Sequence, residues 1–306
     1  MQNSRREFLT VAAGVGALAA FGCKAQSDAR APAAKKPVFT LSIAEWSFHR
    51  ALQAGQMTNL DFPVIVRRDY DIDACEYVNS FFKDKARDEG YLKELTKRCD
   101  DNGVRSALIM CDGEGELAHE DTAERAKAVE NHHRWVDAAA FLGCHSIRVN
   151  AAGGGDVGEK QKRAADSLVA LANYGEAKRI NVIVENHGGS SSNGAWLAGV
   201  MKLANHPRVG TLPDFGNFNL GDGKSYDRYL GVEEMMPFAK AVSAKSHEFD
   251  AKGEEIHTDY HRMLRIVVAA GYHGNLGIEY EGDKHSEPDG VRLTKALLER
   301  VRVELA

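Results

Sequence analysis

The chain has 306 residues and a formal net charge of −5 at pH 7, from 39 Lys and Arg against 44 Asp and Glu. Six of the basic and two of the acidic residues lie in the first 36, so the remaining chain has 33 basic against 42 acidic residues. A domain this acidic lacks the positive surface that attracts phosphate groups. The composition therefore argues against nucleic acid and against an anionic membrane surface as partners.

Residues 1–37 have the composition of an export signal followed by a flexible tether. The apolar run 11–22 is too short to span a bilayer and is typical of a signal peptide. The adjacent Arg5 and Arg6 favour a twin-arginine signal over an ordinary one, and therefore a periplasmic protein. Cys23 follows Ala-Phe-Gly as in a lipoprotein box, so a lipid anchor at Cys23 and plain cleavage nearby both stay open.

The region 38–306 alternates short β-branched runs with longer segments of helical periodicity, which predicts one domain of repeated βα units. Units of about 30 residues fit a (β/α)8 TIM barrel. The alternative is an open doubly wound sheet, but no Gly-x-Gly-x-x-Gly follows the first strand. The predicted strands are 39–46, 74–78, 105–111, 145–150, 181–186, 209–214, 241–247 and 275–281, and the clearest predicted helices are 123–143, 159–179, 257–271 and 288–305.

The last four predicted strands each end on a side chain that can bind a metal: Glu185, Asp214, His247 and Glu279. Any one of them alone is more simply a solvated or salt-bridged residue. In a barrel, however, the carboxyl ends of the strands converge on one mouth, where catalytic residues lie. Three carboxylates placed together raise each other's pKa, and a divalent cation removes that cost. This set predicts Mn²⁺, Mg²⁺ or Co²⁺, with Zn²⁺ as a less favoured alternative.

A resemblance to a known family rests on the stretches VIVENHGG, TLPDFGNF, SHEFD and GIEYEG. They look like the xylose isomerase-like TIM barrels, the sugar phosphate isomerase/epimerase superfamily. The resemblance covers the whole folded region and is most specific over 181–281. It implies one divalent metal held by Glu185, Asp214, His247 and Glu279. In the ketose 3-epimerase branch it also implies proton transfer by the two glutamates on opposite faces of the substrate.

The sequence departs from the ketose 3-epimerase branch at two places. Asn217 stands where that branch usually has a histidine, three residues after the metal aspartate. No arginine follows His247 in HEFDAKGEE. The resemblance therefore implies the metal site more strongly than it implies 3-epimerisation.

Five further residues are candidates for substrate binding. His187 points to the same side as the glutamate two residues before it, although a structural role is an equal alternative. Lys245 would neutralise an anionic intermediate or, as we favour, pair with a carboxylate. Trp46 would form an aromatic platform for a sugar ring, although packing in the core is the interpretation we favour. Asn150 and Asn217 would bind or orient substrate hydroxyls.

These observations predict an exported, metal-dependent sugar isomerase or epimerase that acts through a metal-stabilised enediolate. A free keto-sugar or sugar derivative is the expected substrate, because phosphorylated sugars are mostly cytoplasmic. One alternative is a lyase or dehydratase that uses the same site for elimination. A second is a non-catalytic periplasmic sugar-binding barrel. Homo-oligomerisation is compatible with the sequence and is not decided by it.

Overall fold

The structure, a computed structural model, describes residues 37–306. The predicted export signal and the lipid anchor at Cys23 lie outside the described residues and stay predictions. Eight parallel strands form one sheet in the order β6-β5-β4-β3-β2-β1-β10-β9, and β7 and β8 form a separate antiparallel hairpin. The strands are β1 Thr40–Ala44, β2 Ala74–Val78, β3 Arg105–Met110, β4 Ser146–Val149, β5 Asn181–Glu185, β6 Val209–Leu212, β7 Asn219–Gly221, β8 Lys224–Ser225, β9 Val242–Ser246 and β10 Asn275–Tyr280.

The sheet closes on itself between β6 and β9. Isolated parallel bridges pair Thr211 with Ala239 and Asp214 with Ser243. The Ser243 N–H donates to the Pro213 carbonyl at 2.9 Å. The predicted TIM barrel is therefore confirmed, and each predicted barrel strand corresponds to an observed one.

Helices connect the strands on the outside of the barrel. Most of them begin after an aspartate whose side chain accepts a hydrogen bond from the first turn, which satisfies N–H groups that have no partner within the helix. The helices are α1 His49–Gln53, α2 Phe62–Tyr70, α3 Glu89–Asn102, α4 Thr122–Phe141, α5 Val157–Gly175, α6 Gly194–Ala204, α7 Arg228–Met235, α8 Tyr260–Ala269 and α9 Glu287–Glu304.

The two faces of the barrel strands differ in polarity. Along β9, Val242 and Ala244 belong to the large apolar core between strands and helices, whereas Ser243 and Lys245 alternate with them and are also buried. In β10 the same alternation places the apolar Ile278 in the core and the charged Glu279 on the other face. Because successive side chains of a strand point to opposite faces, the polar set lies inside the barrel. This pattern places charged groups together near the mouth.

The hydrophobicity of the helices and the state of the cysteines complete the description of the fold. Within residues 37–306, no helix combines the length and the hydrophobicity needed to cross a bilayer. Cys75, Cys99, Cys111 and Cys144 are buried free thiols.

Candidate active site

Three buried carboxylates meet at the carboxyl end of the barrel. Glu185 is the last residue of β5, Asp214 follows β6 by two residues, and Glu279 lies near the end of β10. One oxygen of each lies within 4.8 Å of the other two. None of the three residues is more than 3% exposed. The structure thus brings together three of the four side chains that the strand-end pattern singled out.

His247, the fourth side chain of that set, is not part of this cluster. The strand register places Glu279 opposite Lys245, and β9 ends at Ser246. His247 therefore lies two positions further along the chain, which is about 7 Å in an extended segment. Its imidazole is 39% exposed, and Nε2 lies 3.8 Å from Glu281 Oε2. The prediction of a four-residue ligand set is corrected to three carboxylates.

Lys245 occupies the level of the barrel that was assigned to the imidazole. Its Nζ lies 3.1 Å from Glu279 Oε1, 3.3 Å from Glu281 Oε1 and 3.8 Å from Asp214 Oδ2. Burial alone would lower the pKa of this lysine, but the attraction of Glu279 and Asp214 outweighs burial and raises the pKa well above its usual value. Lys245 is therefore a buried cation paired with the carboxylates, which is the interpretation that the sequence favoured.

A second buried cation, Arg148, was not identified from the sequence. This residue of β4 donates from Nη1 to Asp112 Oδ1 at 2.7 Å, and its Nε lies 2.8 Å from Glu185 Oε2. The contact with Glu185 is close but is not aligned as a hydrogen bond, so neither atom has a hydrogen-bond partner among the described residues. The available signal was an arginine on the interior face of the buried strand HSIRVN, where a charge requires a partner.

Asp112 extends this network toward the mouth. Its Oδ1 also accepts a hydrogen bond from Asn150 Nδ2 at 2.7 Å. Partial burial would raise the pKa of Asp112, but the charge and hydrogen bond of Arg148 outweigh it and lower the pKa. Asn150, predicted to bind substrate, therefore positions an ionised carboxylate through one of its amide hydrogens.

The three central carboxyl groups have different electrostatic surroundings. Burial raises the pKa of Glu185 to about 8, even though Arg148 opposes the shift. Burial also raises the pKa of Asp214 to about 6. Burial acts on Glu279 too, but the charge of Lys245 and hydrogen bonds from Ser243 and Lys245 outweigh it and lower the pKa. The site therefore combines carboxyl groups of different proton affinity.

Asn217 holds two of these carboxylates in place. Its side-chain amide donates to Glu185 Oε1 at 3.0 Å, and its backbone N–H donates to Asp214 Oδ1 at 2.8 Å. The Gly216 N–H donates to the same Asp214 oxygen at 2.7 Å. Asn217 is thus placed to orient the carboxylates rather than a substrate hydroxyl.

A cavity of about 470 Å³ opens at the mouth. Glu279, Glu281 and Arg148 lie on its charged side, and Trp46 and His187 complete the wall. Three larger cavities, of about 700, 610 and 490 Å³, are lined by none of the three central carboxylates. We therefore assign the smaller cavity to the active site.

Trp46 lines the cavity from the side of β1 and is partly buried, packed against the small apolar cluster that includes Ala44 and Val78. Its ring stacks on His49 at 4.9 Å and on Phe81 at 5.8 Å between centroids. His187 lines the same cavity, where burial and the nearby Arg148 lower its pKa. Both residues therefore line the cavity, and their binding of a substrate stays a prediction.

The carboxylate cluster has the chemistry of a site for a hard divalent ion. Glu185 Oε2 and Asp214 Oδ2 are buried and accept no hydrogen bond from a described residue, although Arg148 Nε lies 2.8 Å from the first oxygen and Lys245 Nζ lies 3.8 Å from the second. Buried oxygens without partners are costly unless a cation or a proton satisfies them. An all-oxygen donor set suits Mg²⁺ or Mn²⁺ better than Zn²⁺. The triad of Glu185, Asp214 and Glu279 could therefore bind a metal.

The sequence over residues 67–301 matches the family described as xylose isomerase-like TIM barrel. The chain belongs to this family. No curated protein matches the sequence.

Solved structures agree with the family in fold. The chain is similar to 3-keto-D-glucoside 4-epimerase YcjR from E. coli, with 15% identity, a TM-score of 0.63 and coverage of 88% of this chain and 100% of that one. D-psicose 3-epimerase gives 13% identity, a TM-score of 0.64 and coverage of 87% and 99%. A xylose isomerase-like TIM barrel protein from Mycobacterium smegmatis, in complex with magnesium, gives 15% identity, a TM-score of 0.67 and coverage of 88% and 98%.

Proposed function

We propose that the chain is a sugar isomerase or epimerase that moves a proton on a carbon next to a carbonyl group. The observation that carries the proposal is the meeting of Glu185 and Glu279, from two strands that are not neighbours, beside a cavity of about 470 Å³. Two carboxyl groups at one carbon can act as base and acid in succession. The names of two similar structures, a 3-keto-D-glucoside 4-epimerase and a D-psicose 3-epimerase, support this class of reaction.

The proposed reaction begins with removal of a C–H proton by Glu279. The electron pair of that bond moves onto the carbonyl oxygen and forms an enediolate, and Glu185 then returns a proton. Return to the same carbon on its other face gives an epimer, whereas return to the neighbouring carbon gives an isomer. Lys245 and Arg148 supply positive charge beside the developing oxyanion, which lowers its energy in a dry site.

The proposal includes a divalent ion, Mn²⁺, Mg²⁺ or Co²⁺, held by Glu185, Asp214 and Glu279. When bound, such an ion would stabilise negative charge on the substrate oxygens. The oxygen donor set and the two oxygens without hydrogen-bond partners support this part of the proposal.

The proposed substrate is a free keto-sugar or sugar derivative. The apolar face of a sugar ring would lie on Trp46, whose ring is held by stacking on its neighbours. His187 and Asp112 border the same cavity and would bind hydroxyl groups. Export of the protein to the periplasm, proposed from the twin-arginine pattern, agrees with a substrate that carries no phosphate.

The test is proton exchange with solvent. The purified protein, supplied with Mn²⁺, would be incubated in D₂O with free hexoses, 3-keto-hexoses and their glycosides and followed by NMR. We expect deuterium to replace one carbon-bound hydrogen in a substrate and a product of otherwise unchanged mass. A product that has lost water or an alcohol would assign the site to a lyase instead. Binding of sugars without any exchange would overturn the proposal in favour of a binding protein.

A further inference from the structure

The ammonium group of Lys245 lies in the space where the carboxylates would hold an ion. Its Nζ is 3.1 Å from Glu279 Oε1 and 3.8 Å from Asp214 Oδ2, two of the three proposed ligand residues. We propose that Lys245 is a built-in competitor of the divalent ion, so that metal binding requires the ammonium to leave Glu279 and Asp214. This inference deepens the proposed function and rests on its metal site.

The distances make joint occupancy unfavourable. Oxygen ligands lie about 2.0 to 2.6 Å from Mg²⁺, Mn²⁺ or Ca²⁺. The ammonium is 3.1 Å from Glu279 Oε1, so an ion bound to the same oxygen would lie less than about 6 Å from the ammonium nitrogen. Two positive charges that close repel strongly in a buried site, where water does not screen them. The triad can therefore neutralise Lys245 or hold an ion, but it does not stabilise both in the observed arrangement.

Glu281 provides the position to which the ammonium would move. Its Oε1 is already 3.3 Å from Lys245 Nζ, and its side chain lies toward the rim with 27% exposure. Residue 216 is a glycine, and a Cβ atom there would come within 3.0 Å of Lys245 Cγ. The missing side chain thus leaves room for the lysine stem. A small rotation at the end of that stem would transfer the ammonium from a shared contact to Glu281 alone.

Strand β9 offers no neutral nitrogen ligand in place of the lysine. The side chains that it directs at Glu279 are Ser243, whose Oγ donates to Oε2 at 2.7 Å, and Lys245. Both stabilise the free carboxylate. The strand that was predicted to complete the metal shell therefore supplies groups that satisfy Glu279 without metal.

The test is the affinity for Mn²⁺, measured by titration calorimetry on the full chain after dialysis against a chelator. We expect Lys245→Met to bind Mn²⁺ at least about tenfold more tightly than the unaltered protein, because the competing charge is gone. Lys284→Met is the matched control, since Lys284 is an exposed lysine near the same mouth and pairs with Glu248. A change of less than about threefold is expected for the control, because exposed charges are screened.

Equal or weaker Mn²⁺ binding by Lys245→Met would overturn the inference, as would an equal gain in Lys284→Met. Lys245→Gln serves as a second variant if Lys245→Met does not fold, as judged by circular dichroism. Glu281→Gln adds a double-mutant cycle. Glu281→Gln should weaken Mn²⁺ binding in the unaltered protein and have a smaller effect when Lys245 is already replaced. Equal effects in both backgrounds would show that Glu281 does not accept the displaced ammonium.

Failure of this inference is distinguishable from failure of the proposed function, because Mn²⁺ binding is measured without a sugar. A gain in affinity without deuterium exchange would support the competition and overturn the proposed reaction. Deuterium exchange with an unchanged affinity of Lys245→Met for Mn²⁺ would support the proposed reaction and overturn the competition.

Discussion

The two sides of the barrel mouth are built from opposite kinds of side chain. The side formed by β5, β6, β9 and β10 carries a buried network of Glu185, Asp214, Lys245 and Glu279. The side formed after β1 and β2 carries the stacked aromatic residues around Trp46. Under the proposed function, the charged side would supply proton transfer and charge stabilisation, and the aromatic side would supply an apolar surface for the substrate. Changes on the two sides should therefore alter different kinetic constants.

The largest effect is expected from Glu279→Gln on the charged side. This change keeps the shape of the side chain but removes the proposed base, so kcat should fall by about 10²–10⁴-fold. Deuterium exchange into the sugar is the measurement, and circular dichroism checks the fold. Glu248→Gln, which changes an exposed acid paired with Lys284, should keep kcat within about twofold. Near-normal exchange by Glu279→Gln would remove this residue from the mechanism.

Removal of divalent ions is the second test of the charged side. After chelation and dialysis, the exchange rate should fall at least about tenfold and recover when Mn²⁺ is added, because the proposed ion stabilises negative charge on the substrate. Zn²⁺ should restore less activity than Mn²⁺, since the donor set consists of carboxylate oxygens. Full activity in a preparation shown by elemental analysis to lack metal would contradict the metal requirement and leave the buried cations as the stabilising groups.

Trp46→Ala probes the aromatic side and should act on substrate binding. We expect KM to rise by about tenfold while kcat changes by less than about threefold, because the ring contacts substrate and product alike. Trp46→Phe should recover most of the affinity, since it restores an aromatic surface. A loss confined to kcat would show that the two sides are not separate in function.

The smallest effect on turnover is expected from Glu45, a buried acid below the aromatic side. Its oxygens accept hydrogen bonds from Asn59 and from the Val78 N–H, both neutral groups. Burial outweighs these bonds and raises the pKa of Glu45 to about 8, the reverse of the shift at Glu279, where Lys245 is the partner. The protonated form of Glu45 therefore contributes to the free energy of unfolding. This contribution is fully present below pH 4.5 and is lost as pH rises to about 8.

Urea denaturation between pH 4.5 and 8.5 measures this effect. The free energy of unfolding of the unaltered protein, relative to that of Glu45→Gln, should fall by an amount on the order of a few kcal/mol as pH rises. Other titrating groups are shared by both proteins and cancel in the difference. A constant difference across this range would show that Glu45 is ionised throughout.

The sequence predicted the parts of the site that depend on strand periodicity and barrel closure. Glu185, Asp214 and Glu279 were found because carboxylates at the ends of successive parallel strands converge in a barrel. His247 was misplaced because Lys245 and His247 share a face, and only the pairing with β10 decides which of them lies beside Glu279. Such register is a long-range property that periodicity along one strand does not contain.

Arg148 was missed for a related reason. A charged residue inside a buried strand is recognisable in the sequence, but its partners, Asp112 and Glu185, lie 36 and 37 positions away in the chain and on different segments. No local pattern links them. Lys245 was identified as a candidate, and its pairing with carboxylates was favoured, because a buried ammonium requires an acid nearby.

The closure of the barrel by two isolated bridges, between Thr211 and Ala239 and between Asp214 and Ser243, has a dynamic consequence. Few amide protons join the two edges there, whereas β9 and β10 pair over five successive positions. Local opening costs least where the fewest bonds must break, so backbone amides at this junction should exchange with deuterium earlier than those between β9 and β10. Each such opening would part Asp214 from the strand that carries Lys245, so this sparsely paired junction runs between the anion and the cation of the site.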